Sequence, residues 1–391
     1  MSKPQPDLLS PRQILDALVR FPTVSRDTNL PLVDWVEAYL ASHGIAAHRQ
    51  WHADRTKAAL FAHSGPWEAG GVVVSGHTDV VPVAGQVWTS DPWEVTERDG
   101  RLYGRGTCDM KGFDALAIWA LVEAHRRGVA RPLQLALSYD EEIGCTGAPP
   151  MIAAMAQVLP KAGAALIGEP SGMRVVTGHK GGTGIAVHVR GFEVHSSLLP
   201  QGVSAIMEAA RLIGWANDRN AEARARVPSP VAALFDPPFT TFHVGTISGG
   251  TANNITAADC RFLMEFRNVP GESAESWHSL FVAEVDRLRS AMQAVRPEAG
   301  IDLSPFFTVP ALVPEPEGAA ETLARRLTGD NGHHVVSYGT EAGQFQDAGY
   351  SAVVCGPGDI AQAHQADEYL EVSEFAAGHA FMERLLAELG A

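Results

Sequence analysis

Two histidines and a set of carboxylates in this chain each follow a short apolar run. Val72-Val73-Val74-Ser75-Gly76 leads into His77-Thr78-Asp79, and residues 133–138 lead into Asp140-Glu141-Glu142. Residues 164–167 lead into Gly168-Glu169-Pro170, and residues 351–355 lead through Gly356-Pro357-Gly358 to His364. Asp109 sits in the glycine-rich segment Gly104-Arg105-Gly106-Thr107-Cys108-Asp109-Met110-Lys111-Gly112, just ahead of a helical pattern. Continuous apolar runs of this length read as strands buried on both faces. In an open parallel sheet the carboxyl ends of such strands share one rim, where these folds place their sites. Carboxylates gathered there would repel one another and take up protons unless a cation held them together. A pair of divalent ions meets that need. Imidazole and carboxylate donors without thiolate suit zinc, cobalt or manganese, and a shared carboxylate holds two ions within about 4 Å for hydrolysis.

The elements that must position these groups alternate between strand and helix over the first 180 residues. Residues 8–21 carry a helical period with Ser10-Pro11 as cap and first turn, and residues 31–42 make a second helix stopped by Gly44. Residues 113–127 form a further helix, with Leu116, Trp119, Ala120 and Val122 on one face and Arg126-Arg127-Gly128 at its end. Such alternation implies a parallel sheet with right-handed crossovers. The middle of the chain differs. Residues 183–189 alternate like a half-exposed strand, 203–215 and 275–295 read as helices, and 240–247 and 260–267 read as an antiparallel pair. The expected fold is α/β. A mostly parallel-sheet catalytic domain with helices on both faces (residues 1–182 and 306–391) is interrupted by an inserted α+β domain at 183–305.

Thirty Lys+Arg against 45 Asp+Glu leave a net charge of −15, which argues against nucleic acid or an anionic membrane surface as partner. At 46% hydrophobic and 19% charged, the chain suits a large core and no disorder. Four scattered cysteines without a C-x-x-C pair, and no apolar run near Met1 resembling a signal, fit a cytoplasmic protein. The phosphate-binding and dinucleotide glycine motifs are absent, as is the G-x-S-x-G elbow of serine hydrolases.

Five ordered motifs, Ser75 to Asp79, Gly104 to Gly112, Asp140 to Glu142, Gly168 to Pro170 and Ala363-His364, span nearly the whole chain. In them the chain resembles the co-catalytic two-zinc aminoacylase/carboxypeptidase (M20-type) metallohydrolases, which include acetylornithine deacetylases and succinyl-diaminopimelate desuccinylases. Tyr338 to Gly343, and the runs Val354 to Gly358 and Asp367-Glu368-Tyr369, look most like the former group. The resemblance implies that His77 and Glu169 ligate one zinc, Glu142 and His364 the other, and Asp109 both, with cobalt as the alternative metal. It implies that Asp79 orients the His77 imidazole, that Glu141 is the general base, and that the Asp109–Met110 peptide is cis. It implies that His195 comes from the partner subunit of a homodimer, joined through the inserted domain, to stabilise the oxyanion. Asn254, Arg267 and the backbone at Gly339-Thr340 would then hold the substrate carboxylate. Thr256 stands where the family often has proline. The implied reaction is hydrolysis of the N-acetyl amide of N2-acetyl-L-ornithine to acetate and L-ornithine in arginine biosynthesis, with desuccinylation or another aminoacylase or dipeptidase activity as the alternative. Glu341 could face a cationic substrate end or serve a helix N-terminus.

Overall fold

A valine-rich run with no polar alternation cannot leave either face in water, so it must lie in the middle of a covered sheet. The structure, a computed structural model, describes residues 7–391. Among these, the largest sheet has eight strands. Its central four, in spatial order Leu133–Ser138, Val72–His77, Ala164–Pro170 and Ser351–Gly356, run parallel. Antiparallel strands flank them, with Ala58–Ser64 and then Ala47–Trp51 on one side and Val176–His179 on the other. The α/β sheet is therefore parallel where the acidic motifs lie and antiparallel at its margins. A small three-stranded sheet pairs Tyr369–Glu371 with Arg101–Tyr103, which draws Glu368 beside the glycine-rich loop.

The helix Lys111–Arg127 is buried almost all round, because Pro11–Val19 and Val372–Leu389 pack on it while it packs on the sheet. It ends at Gly128, whose φ of +66° is a conformation glycine adopts without cost. Two other glycines allow its close approach. A Cβ on Gly168 would fall 2.0 Å from the Phe113 ring, and one on Gly76 would fall 2.1 Å from Asp114 Oδ1. Val72 and Val74 join the core cluster beneath this helix, whereas Val73 does not. The helices Ala148–Val158 and Ala342–Asp347 contribute nothing to that cluster and cover the other face.

The described chain divides into two compact units. One runs through Gly178 and resumes at Pro314–His334 and Thr340–Ala391; the other is His179–Val313 with Val335–Gly339. The second unit is an antiparallel sheet in the order Thr241–Gly249, Asp259–Arg267, Gly182–Arg190, Gly300–Val309. The helices Ala205–Ala225 and Ala274–Val295 close one face, their Leu212, Phe281, Val285 and Leu288 packing on Ile185, Val187 and Phe262. Two features differ from the pattern-based reading. The strand Gly300–Val309 crosses residue 305, the boundary set from sequence. Proline demotes a strand assignment, and here Pro305 sits at a register shift on the edge strand, where its missing N–H does no harm. The helix from Ala205 continues ten residues past 215, through a stretch in which only Ala216 and Ala223 are buried and the apolar period fades.

Candidate metal centre

His77 closes its strand at 1% exposure. Its Nδ1 lies 2.9 Å from the main-chain carbonyl of Asp79, which can only accept, so the ring proton sits there and Nε2 is left as a donor atom. That Nε2 faces Asp109 Oδ1 at 3.0 Å and Glu169 Oε1 at 3.8 Å. His364 Nε2 faces the other Asp109 oxygen, Oδ2, at 3.1 Å and Glu142 Oε2 at 3.0 Å. Asp109 thus turns one oxygen to each imidazole, and each imidazole has a second carboxylate of its own. The Asp109–Met110 peptide is cis.

The donor atoms of His77, Asp109 and Glu142 lie within 4.8 Å of one another, as do those of His77, Glu141 and Glu169. Burial, reinforced by neighbouring carboxylates, pushes Glu142 up to about 8 and Glu169 well above the usual carboxylate range. Burial works against a charged His77, yet its contacts with Asp109 and Asp79 outweigh it and hold the imidazole well above its ordinary value. Contacts with Asp109 and Glu142 raise His364 to about 10. Each imidazole is thus driven to become a cation among carboxylates, the role a metal ion fills more completely. Glu142 Oε1 is buried with no hydrogen-bond partner among the described residues, a lone-pair oxygen free to ligate a cation in the same cluster. The residues present fit a divalent metal. For Glu141, burial lifts the carboxyl to about 7, and its Oε1 accepts from the Cys145 thiol at 3.1 Å. A proton acceptor poised near neutrality suits a general base.

Several supports carry no obvious signal in the sequence. The Asp79 carboxylate lies 3.6 Å from His77 Nδ1, in the same buried contact that helps hold the imidazole above its ordinary value. It also accepts from Ser25 Oγ at 2.7 Å and from the backbone N–H of Glu141 at 3.1 Å and Glu142 at 3.4 Å, so it shapes the acidic turn as well. Asp140, at φ +55°, is no donor to the cluster. It forms a buried ion pair with Lys57 at 2.6 Å and accepts from Arg26 N at 2.9 Å. Lys57 lies in the polar segment Asp54-Arg55-Thr56-Lys57, which reads as an ordinary surface turn. Glu341 is 1% exposed, its carboxyl bonded to the Ser138 hydroxyl rather than capping the following helix. Cys108 is buried beside Asp109 with its sulfur toward the Asp359 carbonyl, a packing role.

His195, Asn254, Arg267 and Gly339 belong to the second unit, and Thr340 to the first. His195 is exposed, with Nδ1 accepting from Ser197 N at 3.2 Å. Asn254 is exposed too, and its carbonyl accepts from Ser196 N at 2.9 Å, so the loops carrying the two residues are joined. Thr256 makes that junction firm. Its hydroxyl accepts from Val194 N and donates to Phe192 O, both at 2.8 Å, and its N–H reaches Val194 O at 3.0 Å. Proline would supply none of these three bonds. Arg267 ends its strand half-buried, with a weak contact to Glu265 at 3.5 Å.

Residues 73–388 match the model of peptidase family M20/M25/M40. The chain is 35% identical over 388 residues to an acetylornithine deacetylase of Myxococcus xanthus, covering 96% of each. It is 32% identical to an acetylornithine deacetylase of Klebsiella pneumoniae (strain 342), covering 92% of each. Among solved structures it is similar to an M20 family metallo-carboxypeptidase from Sulfolobus solfataricus, with a TM-score of 0.78 at 16% identity over 97% of this chain and 98% of that one.

Proposed function

Because this chain belongs to peptidase family M20/M25/M40, whose members are hydrolases, we propose that it is a two-metal deacetylase acting on N2-acetyl-L-ornithine. The products would be acetate and L-ornithine, for arginine biosynthesis in the cytoplasm. The observation that carries the two-metal reading is the pair of Asp109 oxygens, each turned to a different imidazole with its own second carboxylate. The substrate reading is supported by the deacetylase relatives, which match along more than nine-tenths of the chain.

His77 and Glu169 would hold one ion, Glu142 and His364 the other, and Asp109 both; zinc is the metal proposed, cobalt the alternative. Bound there, two divalent ions supply the positive charge that polarises an amide carbonyl and makes water acidic enough to attack near pH 7. Glu141 takes the proton of the attacking water and returns it to the departing amine nitrogen. The Cys145 thiol, bonded to one Glu141 oxygen, leaves the other for that transfer. His195 donates to the oxyanion of the tetrahedral intermediate, where a donor acts on the transition state. Arg267 and Asn254, with the backbone at Gly339-Thr340, hold the substrate carboxylate, the guanidinium fork matching two oxygens.

The inserted unit is read as lid and dimerisation surface, so that the partner's His195 completes each site. Exposed Leu198 and Leu199, just after His195, and exposed Ile255, whose backbone bridges to His195, support that reading, since exposed apolar groups are a feature of interaction surfaces. No helix among the described residues is long and apolar enough to cross a membrane.

The test is release of free amine from N2-acetyl-L-ornithine and from N-succinyl-L,L-diaminopimelate, side by side, on zinc- or cobalt-loaded protein with a chelated control. Metal-dependent turnover of the acetyl substrate alone is expected. Turnover of the succinyl substrate alone would overturn the substrate and keep the mechanism, and turnover that survives chelation would overturn the mechanism.

A further inference from the structure

His364 differs from the other members of the cluster. Its side chain is 49% exposed where the others are buried, and its backbone is at φ +62°, a left-handed region uncommon for a residue with a Cβ. Its main chain is linked by hydrogen bonds to Arg105, the largest fully buried side chain among the described residues. One arm of its guanidinium, Nη1, donates to Glu368 Oε2 at 2.6 Å. The other oxygen of Glu368 accepts from two successive backbone N–H groups, Cys108 at 2.9 Å and Asp109 at 3.1 Å. The second guanidinium arm, Nη2, donates to Gln86 Oε1 at 2.6 Å, and Gln86 Nε2 donates in turn to the main-chain carbonyl of His364 at 2.9 Å. The Trp88 indole also donates to Gln86 Oε1, at 3.2 Å, and Thr89 N donates to Asp367 Oδ1 at 2.8 Å, so the same short loop holds the His364 segment twice.

We propose that Arg105 is a positioning residue for one half of the metal centre. Through Glu368 it fixes the backbone of Asp109, through Gln86 it fixes the backbone of His364, and it thereby sets the spacing of the seat formed with Glu142. The seat at His77 and Glu169 is built on strand ends and draws on this network only through Asp109. The inference rests on the two-ion reading. A guanidinium is suited to the task because its rigid fork serves two acceptors at once, which a lysine ammonium on a flexible stem does not reproduce. Groups that orient ligands from behind typically contribute about 10–100-fold to metal affinity.

The experiment loads the full chain, as wild type, Gln86→Ala and Arg105→Lys, with zinc. Each is then dialysed against graded concentrations of a chelator, and retained zinc is counted by mass spectrometry. Wild type is expected to retain two ions. Gln86→Ala is expected to lose one ion at about 10–100-fold less chelator while holding the second as wild type does, and Arg105→Lys to lose that same ion first, with the second weakened less through the shared Asp109. Gln86 is only half-buried, so its variant decides the question if Arg105→Lys does not fold. Two ions lost from Gln86→Ala along the wild-type curve, or both lost together, would overturn the proposal. A wild type that never holds two ions would overturn the two-ion reading and this inference with it, a result visible without any variant.

Discussion

In the parallel-sheet unit the groups assigned to the metal centre are nearly all withdrawn from water: His77 is 1% exposed, Asp109 4% and Glu169 5%. Each is fixed by main-chain or buried side-chain contacts. In the inserted unit His195 and Asn254 are exposed, and their loops are held to each other by backbone bonds and by Thr256. The two regions answer different physical demands. Carboxylates that must share cations have to be placed before the cation arrives, since every misplaced charge in a low-dielectric rim is costly. Groups that meet a small polar substrate must be reachable, and they gain their final geometry from what binds or packs on them. On the proposed function, the contrast is between a prearranged metal centre and substrate contacts left exposed to what binds them.

Four substitutions probe that contrast, in order of expected effect. Glu141→Gln should lower kcat by about 10²–10⁴-fold while zinc content and thermal midpoint stay as in wild type. Wild-type turnover there would remove the buried rim from the proton transfer. Lys57→Met leaves the Asp140 carboxylate buried without its partner, and urea denaturation should register a loss of about 3–5 kcal/mol. A loss near zero would mean that the acidic turn does not depend on its cation. His195→Ala should lower kcat by about 10²–10³-fold with KM little changed, because an oxyanion donor acts on the transition state. An effect confined to KM would make His195 a ground-state contact and bring the two regions closer in kind. Thr256→Val strands the Val194 N–H and should cost about 1–3 kcal/mol of stability, with a smaller fall in kcat than His195→Ala. If steady-state kinetics show the two falls to be equal, loop geometry and not the imidazole itself is what matters there.

Much of the centre was legible because its signals are local. Val72 to Gly76, residues 133–138, 164–167 and 351–355 announce buried strands by composition; His77 and Glu169 lie at strand ends and Glu142 four residues beyond one, whereas Asp109 and His364 lie on loops. Gly76 and Gly168 stand where a helix presses on the sheet, so even the glycines of these motifs have a packing reason. Less legible were the strand through Pro305, where a breaker residue hides a bulged edge, and the second half of the helix from Ala205, where burial is sparse. The positioning groups were not legible at all. Arg105 and Glu368 stand in segments conspicuous for other reasons, and Lys57 in a polar turn with nothing to distinguish it.

By itself the sequence determined which donors exist, their order, and that parallel strands would deliver them to one rim, since strand periodicity and strand ends are properties of neighbouring residues. Tertiary structure decided the partners. Lys57 meets Asp140 across 83 positions, and Arg105 meets Glu368 across 263. It decided that Asp109 offers one oxygen to each imidazole and that Asp79 holds the acidic turn more closely than the His77 ring. The reason is that pairing among side chains depends on strand order, register and loop closure, which are set by the packing of the whole unit, and no local pattern encodes which distant residue arrives at a given distance.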